Sequence, residues 1–391
     1  MTTAKSEPKV LSQWTDLNVP PKELRLNPTL TCGQAFRWKV TGTYEWTCAL
    51  WGQAIDLKQT PTTVLFRTLG ALPNANPDVE GMLRDYFQLH VKFDSLCNTW
   101  SQVDSDFIKL QETHQGVRTL RQPVVETLFT FIASSNNNIK RITMLVDKLC
   151  EQYGMPIDTI KGRFFTFPTI KQIDTDPQIE LTLKQLGFGY RAKYYANSIK
   201  ILCQEHTDPE AFLLKLRTES LHSARNHLLR LSGVGPKVAD CVCLMALDKY
   251  DAVPIDTHIW QVAQRRYVNR ILANNPESTK MLNLMLPEKR DAVVALARKL
   301  HSSKTPTTKT YEAAQQLFIH LFSPYAGWAQ GLLFSGDLNR SDKPNTSKNV
   351  KPPIKRKATV DPPSLDIPST TVLQTDTNNK QMRLRSSARK K

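Results

Sequence analysis

Between Leu231 and Cys241 the chain reads Leu-Ser-Gly-Val-Gly-Pro-Lys-Val-Ala-Asp-Cys, a run that few folds can accommodate. Apolar residues at helical spacing over 223–231 bring one helix to its end there. Gly233 and Gly235 permit positive φ and a tight reversal. Pro236 suits the first turn of a second helix, where its missing N–H costs nothing. The segment predicts two helices joined by a hairpin whose backbone N–H groups point outward. Such groups at a helix N-terminus bind phosphate. An ordinary antiparallel helix pair is the plain alternative.

Charge weighs against the plain alternative. The 391 residues include 52 Lys+Arg and 36 Asp+Glu, a net charge of +16, which calls for a polyanionic partner. That partner is most simply nucleic acid or an acidic membrane face, and no apolar run approaches the ~18 residues that a membrane span needs. In a basic chain, such a hairpin grips the DNA backbone without reading its sequence. With 40% hydrophobic residues a core is attainable, which excludes a wholly disordered chain. Seven scattered cysteines suggest reduced thiols rather than a disulfide framework.

The expected fold class is α+β. Residues 1–17 read as a flexible N-terminus. Residues 18–115 read as an antiparallel β domain with flanking helices, its strands drawn from Ala35–Trp38, Tyr44–Cys48 and Val64–Arg67. From Val79 onward the periodicity is helical, so 116–340 form a helical body. Residues 341–391 carry a net +8, six prolines and no aromatic residue. They read as a disordered basic tail. Within it Lys351-Pro-Pro-Ile-Lys-Arg-Lys357 has the composition of a nuclear-import signal. The expected location is the nucleus. A mitochondrial pool is left open, although Glu7 and the lack of arginine before Arg25 argue against a transit peptide.

Lys237, on the first turn of the second hairpin helix, has three readings: a phosphate contact, an ion pair with Asp240, or a nucleophile. The third needs an environment that disfavours the ammonium form. Nineteen residues on, Val253-Pro-Ile-Asp-Thr-His258 places Asp256 before an apolar helical run, where it reads as an N-cap. A carboxylate near an amine also suits cleavage of a glycosidic bond. Negative charge steadies an oxocarbenium-like sugar, and the amine captures its C1′.

Five blocks in order carry a resemblance: Ser134-Ser-Asn-Asn-Asn138, Leu186-Gly-Phe-Gly-Tyr-Arg-Ala192, the hairpin run, Val-Pro-Ile-Asp256-Thr-His, and Pro324-Tyr-Ala-Gly-Trp-Ala-Gln330. Over roughly 18–340 the chain resembles the eukaryotic 8-oxoguanine DNA glycosylases/lyases of the helix-hairpin-helix superfamily. The resemblance implies Lys237 as Schiff-base nucleophile and Asp256 as essential carboxylate. It implies that Lys237 and Cys241 stack as an ammonium–thiolate dipole on one side of a flipped 8-oxoguanine, with Phe334 on the other. Gln330 would read the base's Watson–Crick edge, Pro254 would line the pocket, and the Gly33 carbonyl would accept N7–H of the lesion. Gln330, Phe334 and Asp337 share one helix face by spacing. Asn136, Arg141, Tyr190 and Arg191 would fill the gap and bond the widowed cytosine; His258, Gly233 and Gly235 would hold backbone. The resemblance also implies a structural cation on the carbonyls of Leu229, Leu231 and Val234, but neither a catalytic metal nor another cofactor.

The expected activity is excision of 8-oxoguanine opposite cytosine, with β-elimination, by a monomer acting on damaged duplex DNA. Three other classes fit less well. Iron–sulfur glycosylases need four closely spaced cysteines, and only Cys241 and Cys243 are close. Alkylated-base glycosylases lack the hairpin lysine. A non-catalytic binder would tolerate Lys237→Gln. Residues 268–310 are longer and more lysine-rich than the matching family region and are expected to leave the chemistry untouched.

Overall fold

The structure, a computed structural model, describes residues 12–341 apart from 274 and 304. Most of the expected flexible N-terminus, and the basic tail with its import signal beyond Ser341, lie outside the described residues.

An antiparallel sheet opens the fold. Strands β1 (Thr15–Asp16), β2 (Lys39–Gly42), β3 (Glu45–Leu50), β4 (Gln53–Gln59) and β5 (Val64–Ala71) lie in the order β1-β5-β4-β3-β2. Trp46 pairs with Leu57, and Leu57 with Phe66. The alternation of side chains thus stacks an apolar row across three strands. That face packs on Leu17, Leu30, Val79, Leu83 and Tyr86. The other face carries Ala49, Ala54 and Leu69, which Ile157 and Phe164 cover.

Those two residues belong to a hairpin, β6 (Pro156–Thr159) and β7 (Gly162–Phe165), set within the helical body. The sequence reading, which saw only helical periodicity after Val79, misses it because four-residue strands show too few alternations. Lys161 at its turn reaches the sheet, pairing with Glu45 at 2.6 Å and Asp56 at 2.8 Å. Asp56 is fully buried and also takes Arg67 at 2.9 Å. Removing either cation would leave a buried carboxylate short of compensation.

Two further expectations change. Ala35–Trp38 is irregular chain, not strand. There the buried Arg37 guanidinium binds Glu126 and the Ala49 and Phe165 carbonyls, joining elements as side-chain cross-links instead of a ladder. Gln53–Gln59, with its polar Gln53, Asp56 and Lys58, is a central strand that composition hides.

In the helical body, Val124–Ala133 is buried almost all round, as a central helix must be. The lysine-bearing helix Pro236–Ala246 packs on it. The preceding helix, Leu221–Leu229, ends in a turn at Gly233, whose φ is +79°. A Cβ there would lie 2.6 Å from the Tyr194 ring. Gly233→Ala therefore combines a left-handed alanine with overpacking and is expected to cost about 2 kcal/mol or more. Urea denaturation would show it, and DNA affinity should fall with it. Gly235 departs from expectation. Its φ is −94°, open to any residue, and a Cβ there would meet nothing within 4 Å. Its bareness therefore keeps the outer face of the hairpin clear and serves no turn. Among the described residues no helix is long and apolar enough to cross a membrane.

Candidate active site

A cavity of about 70 Å³ opens between the first turn of Pro236–Ala246, the segment 253–256, the helix Ala326–Ser341 and the Cys32–Gln34 turn. Lys237, Cys241, Pro254, Asp256, Gln330, Phe334 and Gly33 all line it. Residues spread over 300 positions of sequence thus converge on one space. Gly33 has φ +83°, and a Cβ on it would sit 3.4 Å from Ile139 Cδ1 and 3.9 Å from the Phe334 ring. Only glycine combines that conformation with an open pocket wall.

Asp256 caps the helix Thr257–Val262, its Oδ1 accepting the Ile259 N–H at 2.8 Å. The capping role read from sequence is therefore real, and the carboxylate lines the cavity as well. Lys237 Nζ stands 4.7 Å from the centroid of the Phe131 ring. It does not pair with Asp240. That carboxylate turns inward to Tyr311 and Gln315, which removes one of the three readings of Lys237. Cys241 lies one turn beyond Lys237, as spacing requires. Burial pushes its thiol up to about 11, although the neighbouring Lys237 pulls the other way.

Asp337 leaves the cavity face. It pairs with Arg265 at 2.7 Å and His258 at 3.6 Å, and His258 meets the Phe334 ring edge-on at 5.9 Å. The run Ile259–Arg266, expected as plain helix, changes at Ala263–Val268 to a wider π-helical turn, a feature frequent at functional sites. Arg265 reaches Asp337 from this turn.

Beside the cavity runs a groove lined by Ser134–Lys140, Gly235–Val238, Asp256–His258 and Phe334. Asn136 sits on its rim with φ +48°. Tyr190 and Arg191 hold that loop. The Tyr190 hydroxyl donates to the Ser135 carbonyl at 3.0 Å. Arg191, only 3% exposed, donates to the carbonyls of Ser135 and Asn136 and lies over the Tyr190 ring at 4.5 Å. Arg141 is exposed nearby, reaching the Gly187 carbonyl at 3.4 Å. The four residues expected around the orphaned cytosine are thus assembled. Arg191 is engaged with backbone, Tyr190 is half exposed, and Asn136 and Arg141 face solvent.

Some lining residues escaped the sequence reading. Phe131 reads only as part of an apolar helical run. Met245 extends the Lys237–Cys241 face by one more turn, a spacing that could have flagged it. Pro306 reaches the groove beside His258, so the 268–310 segment, expected to stay clear of the site, touches its rim. Leu229 closes the first hairpin helix, and Leu231 and Val234 lie on the turn, where the Leu231 carbonyl accepts the Val234 N–H at 3.2 Å; a cation there would share that oxygen. Among the described residues no group of three or more His, Cys, Asp or Glu side chains is placed to hold a metal.

Residues 16–128 match the 8-oxoguanine DNA glycosylase N-terminal domain, and 129–285 match the HhH-GPD superfamily of base excision DNA repair proteins. The N-glycosylase/DNA lyase of Saccharomyces cerevisiae is 34% identical over 351 residues, covering 86% of this chain and 89% of its own. That of Arabidopsis thaliana is 32% identical over 327 residues, covering 83% and 80%. The fold is shared with the 8-oxoguanine glycosylase/lyase of Clostridium acetobutylicum, solved with double-stranded DNA containing cytosine opposite 8-oxoguanine. It is 21% identical, with a TM-score of 0.62, over 83% of this chain and 94% of that one. At a third identity over four-fifths or more of two such enzymes, the chain belongs to the N-glycosylase/DNA lyase family of helix-hairpin-helix base excision repair enzymes.

Proposed function

We propose that this enzyme excises 8-oxoguanine paired with cytosine from duplex DNA, with Lys237 as nucleophile and Asp256 as its electrostatic partner. The observation that carries the reading is the shared cavity. An amine, a carboxylate, an aromatic ring and a buried amide line one space, at the edge of a groove that Asn136 also lines. Pulling a nucleotide from the stack into that space leaves a gap for Asn136 and Tyr190 to fill. In the pocket the Gly33 carbonyl accepts N7–H of the lesion. Guanine presents a lone pair there instead, so the same oxygen rejects it.

The chemistry then balances as follows. As the base–C1′ bond breaks, its electrons leave with the base, and positive charge grows on the sugar beside Asp256. The unprotonated Lys237 amine bonds to C1′ and gives one proton to the departing base; the C1′–O4′ bond then breaks, O4′ takes its electrons and a proton from water, and a protonated Schiff base forms. A C2′ proton leaves to water, its electrons form the C2′–C3′ double bond, and the C3′–O3′ pair departs with the phosphate, so the strand is nicked 3′ to the lesion. The hairpin amides around Gly233 and Gly235 hold phosphate, and the enzyme acts as a monomer. Lys351–Lys357 routes it to the nucleus.

The test is single-turnover excision by the full chain on duplexes with 8-oxoguanine opposite each of the four bases, and with guanine as control. Borohydride is added to trap any Schiff base. Fastest release opposite cytosine, with a trapped complex, is expected. Release without trapping would hand the displacement to water, and equal release of guanine would end the lesion reading.

A further inference from the structure

The segment 253–256 that carries Asp256 is buried through Ile255 and lies in neither helix nor sheet. Its backbone groups have no ladder, so side chains must satisfy them. Those side chains come from the helix Thr308–Phe322. Gln315 Nε2 donates to the Val253 carbonyl at 2.9 Å. The Tyr311 hydroxyl accepts the Ile255 N–H at 3.3 Å. The same two groups turn to the lysine helix. Tyr311 donates to Asp240 Oδ2 at 2.6 Å, and Gln315 Nε2 donates to it at 2.8 Å. Arg225, from the hairpin's first helix, faces Asp240 Oδ1 at 3.3 Å and reaches Gln315 Oε1 at 3.3 Å. Asp240 is 1% exposed, and Tyr311 and Gln315 are 7% exposed.

Asp240 lies three residues after Lys237, and Ile255 immediately precedes Asp256. The network therefore grips both carriers of the reacting groups within one helical turn of those groups. We propose that Tyr311 and Gln315 are positioning residues for base excision, setting the separation of Lys237 and Asp256 by tying the lysine helix, through Asp240, to the backbone of residues 253–255. This rests on the reading of Lys237 and Asp256 as the reacting pair. Neither side chain lines the cavity or the groove, so their effect passes through what they hold. Charge sharpens the arrangement. Burial pushes the Asp240 carboxyl up to about 6, against the pull of Arg225 and the two hydrogen bonds.

Tyr311→Phe deletes both bonds of the hydroxyl, and Gln315→Met deletes the amide with little change of volume. Single-turnover base release at saturating enzyme is measured beside affinity for a duplex bearing a tetrahydrofuran abasic analogue opposite cytosine. Thermal melting checks that each variant is folded at the assay temperature. Because displacements near 1 Å cost about a hundredfold in rate, each variant should release base about tenfold to a hundredfold more slowly. Analogue affinity should stay within about twofold, because phosphate contacts carry it. Rates within twofold of wild type for either folded variant would overturn the inference, as would losses shared equally by affinity and rate. If wild type itself neither traps nor releases 8-oxoguanine, the reading of the pair has failed instead, and that outcome is distinct.

Discussion

Lys237→Gln should form no borohydride-trapped complex and nick no strand, while still binding duplex that carries the lesion. Glutamine keeps the length and polarity of the side chain but has no basic lone pair to bond C1′. Loss of a nucleophile removes most of the rate enhancement at once, so base release should fall by about 10⁴-fold or more. The fold has little to lose. Lys237 is half-buried, on a helix whose inward anchors are Val238, Ala239, Cys241 and Val242, and its Nζ lies over the face of Phe131 beside the Cys241 thiol. Binding should stay close to wild type because backbone amides and other cations supply the phosphate contacts. The same variant that no longer reacts while its melting temperature holds would locate the amine. Trapping by Lys237→Gln would mean that another amine does the work.

Asp256→Asn is the second large effect, and the choice of asparagine matters. Asp256 caps a helix and faces the cavity, so alanine would mix two losses. Asparagine is as good an N-cap as aspartate, and its side-chain oxygen can still accept the Ile259 N–H. What disappears is the negative charge beside the developing sugar cation. Loss of one such electrostatic group typically costs about 10²–10³-fold in rate, and that is the expected fall in single-turnover release, with stability and lesion affinity held. Asp256→Ala should show the same chemical loss plus about 1 kcal/mol of stability from the missing cap. Unchanged excision by Asp256→Asn would remove the carboxylate from the mechanism.

How much of this was readable beforehand depended on where the information sits. The hairpin was readable because Gly-Val-Gly-Pro is a backbone instruction: a reversal, then a helix start. Even so, only Gly233 uses positive φ; Gly235 is bare for what lies outside it. Asp256 was readable as a cap, and the structure adds that a capping carboxylate can also line a cavity. Gln330 and Phe334 share a helix face by their spacing, but Gly33 lies far away in sequence and no local pattern links it to them; resemblance alone joined the three. Phe131 stayed hidden because one aromatic in an apolar helix looks like any other core residue. The β6–β7 hairpin stayed hidden because its strands are too short to show a period. Tyr311 and Gln315 stayed hidden because the groups they serve are main-chain atoms, which leave no trace in composition. The upward push on the Cys241 thiol comes from burial, which a string of letters does not state.

The two matched family regions meet between residues 128 and 129, in the middle of the helix Val124–Ala133. Leu128 and Phe129 are both wholly buried, and the Phe129 carbonyl accepts the Tyr195 hydroxyl. A crossover at that point between two relatives would splice half a core helix from each parent, with every inward face having to match. Farther off, the sheet's Asp56 would still need a lysine supplied by the other parent at position 161. The border drawn by family likeness is thus a poor place to build chimeras. Viable hybrids should instead be those in which the helix, Asp56 and Lys161 come from the same parent.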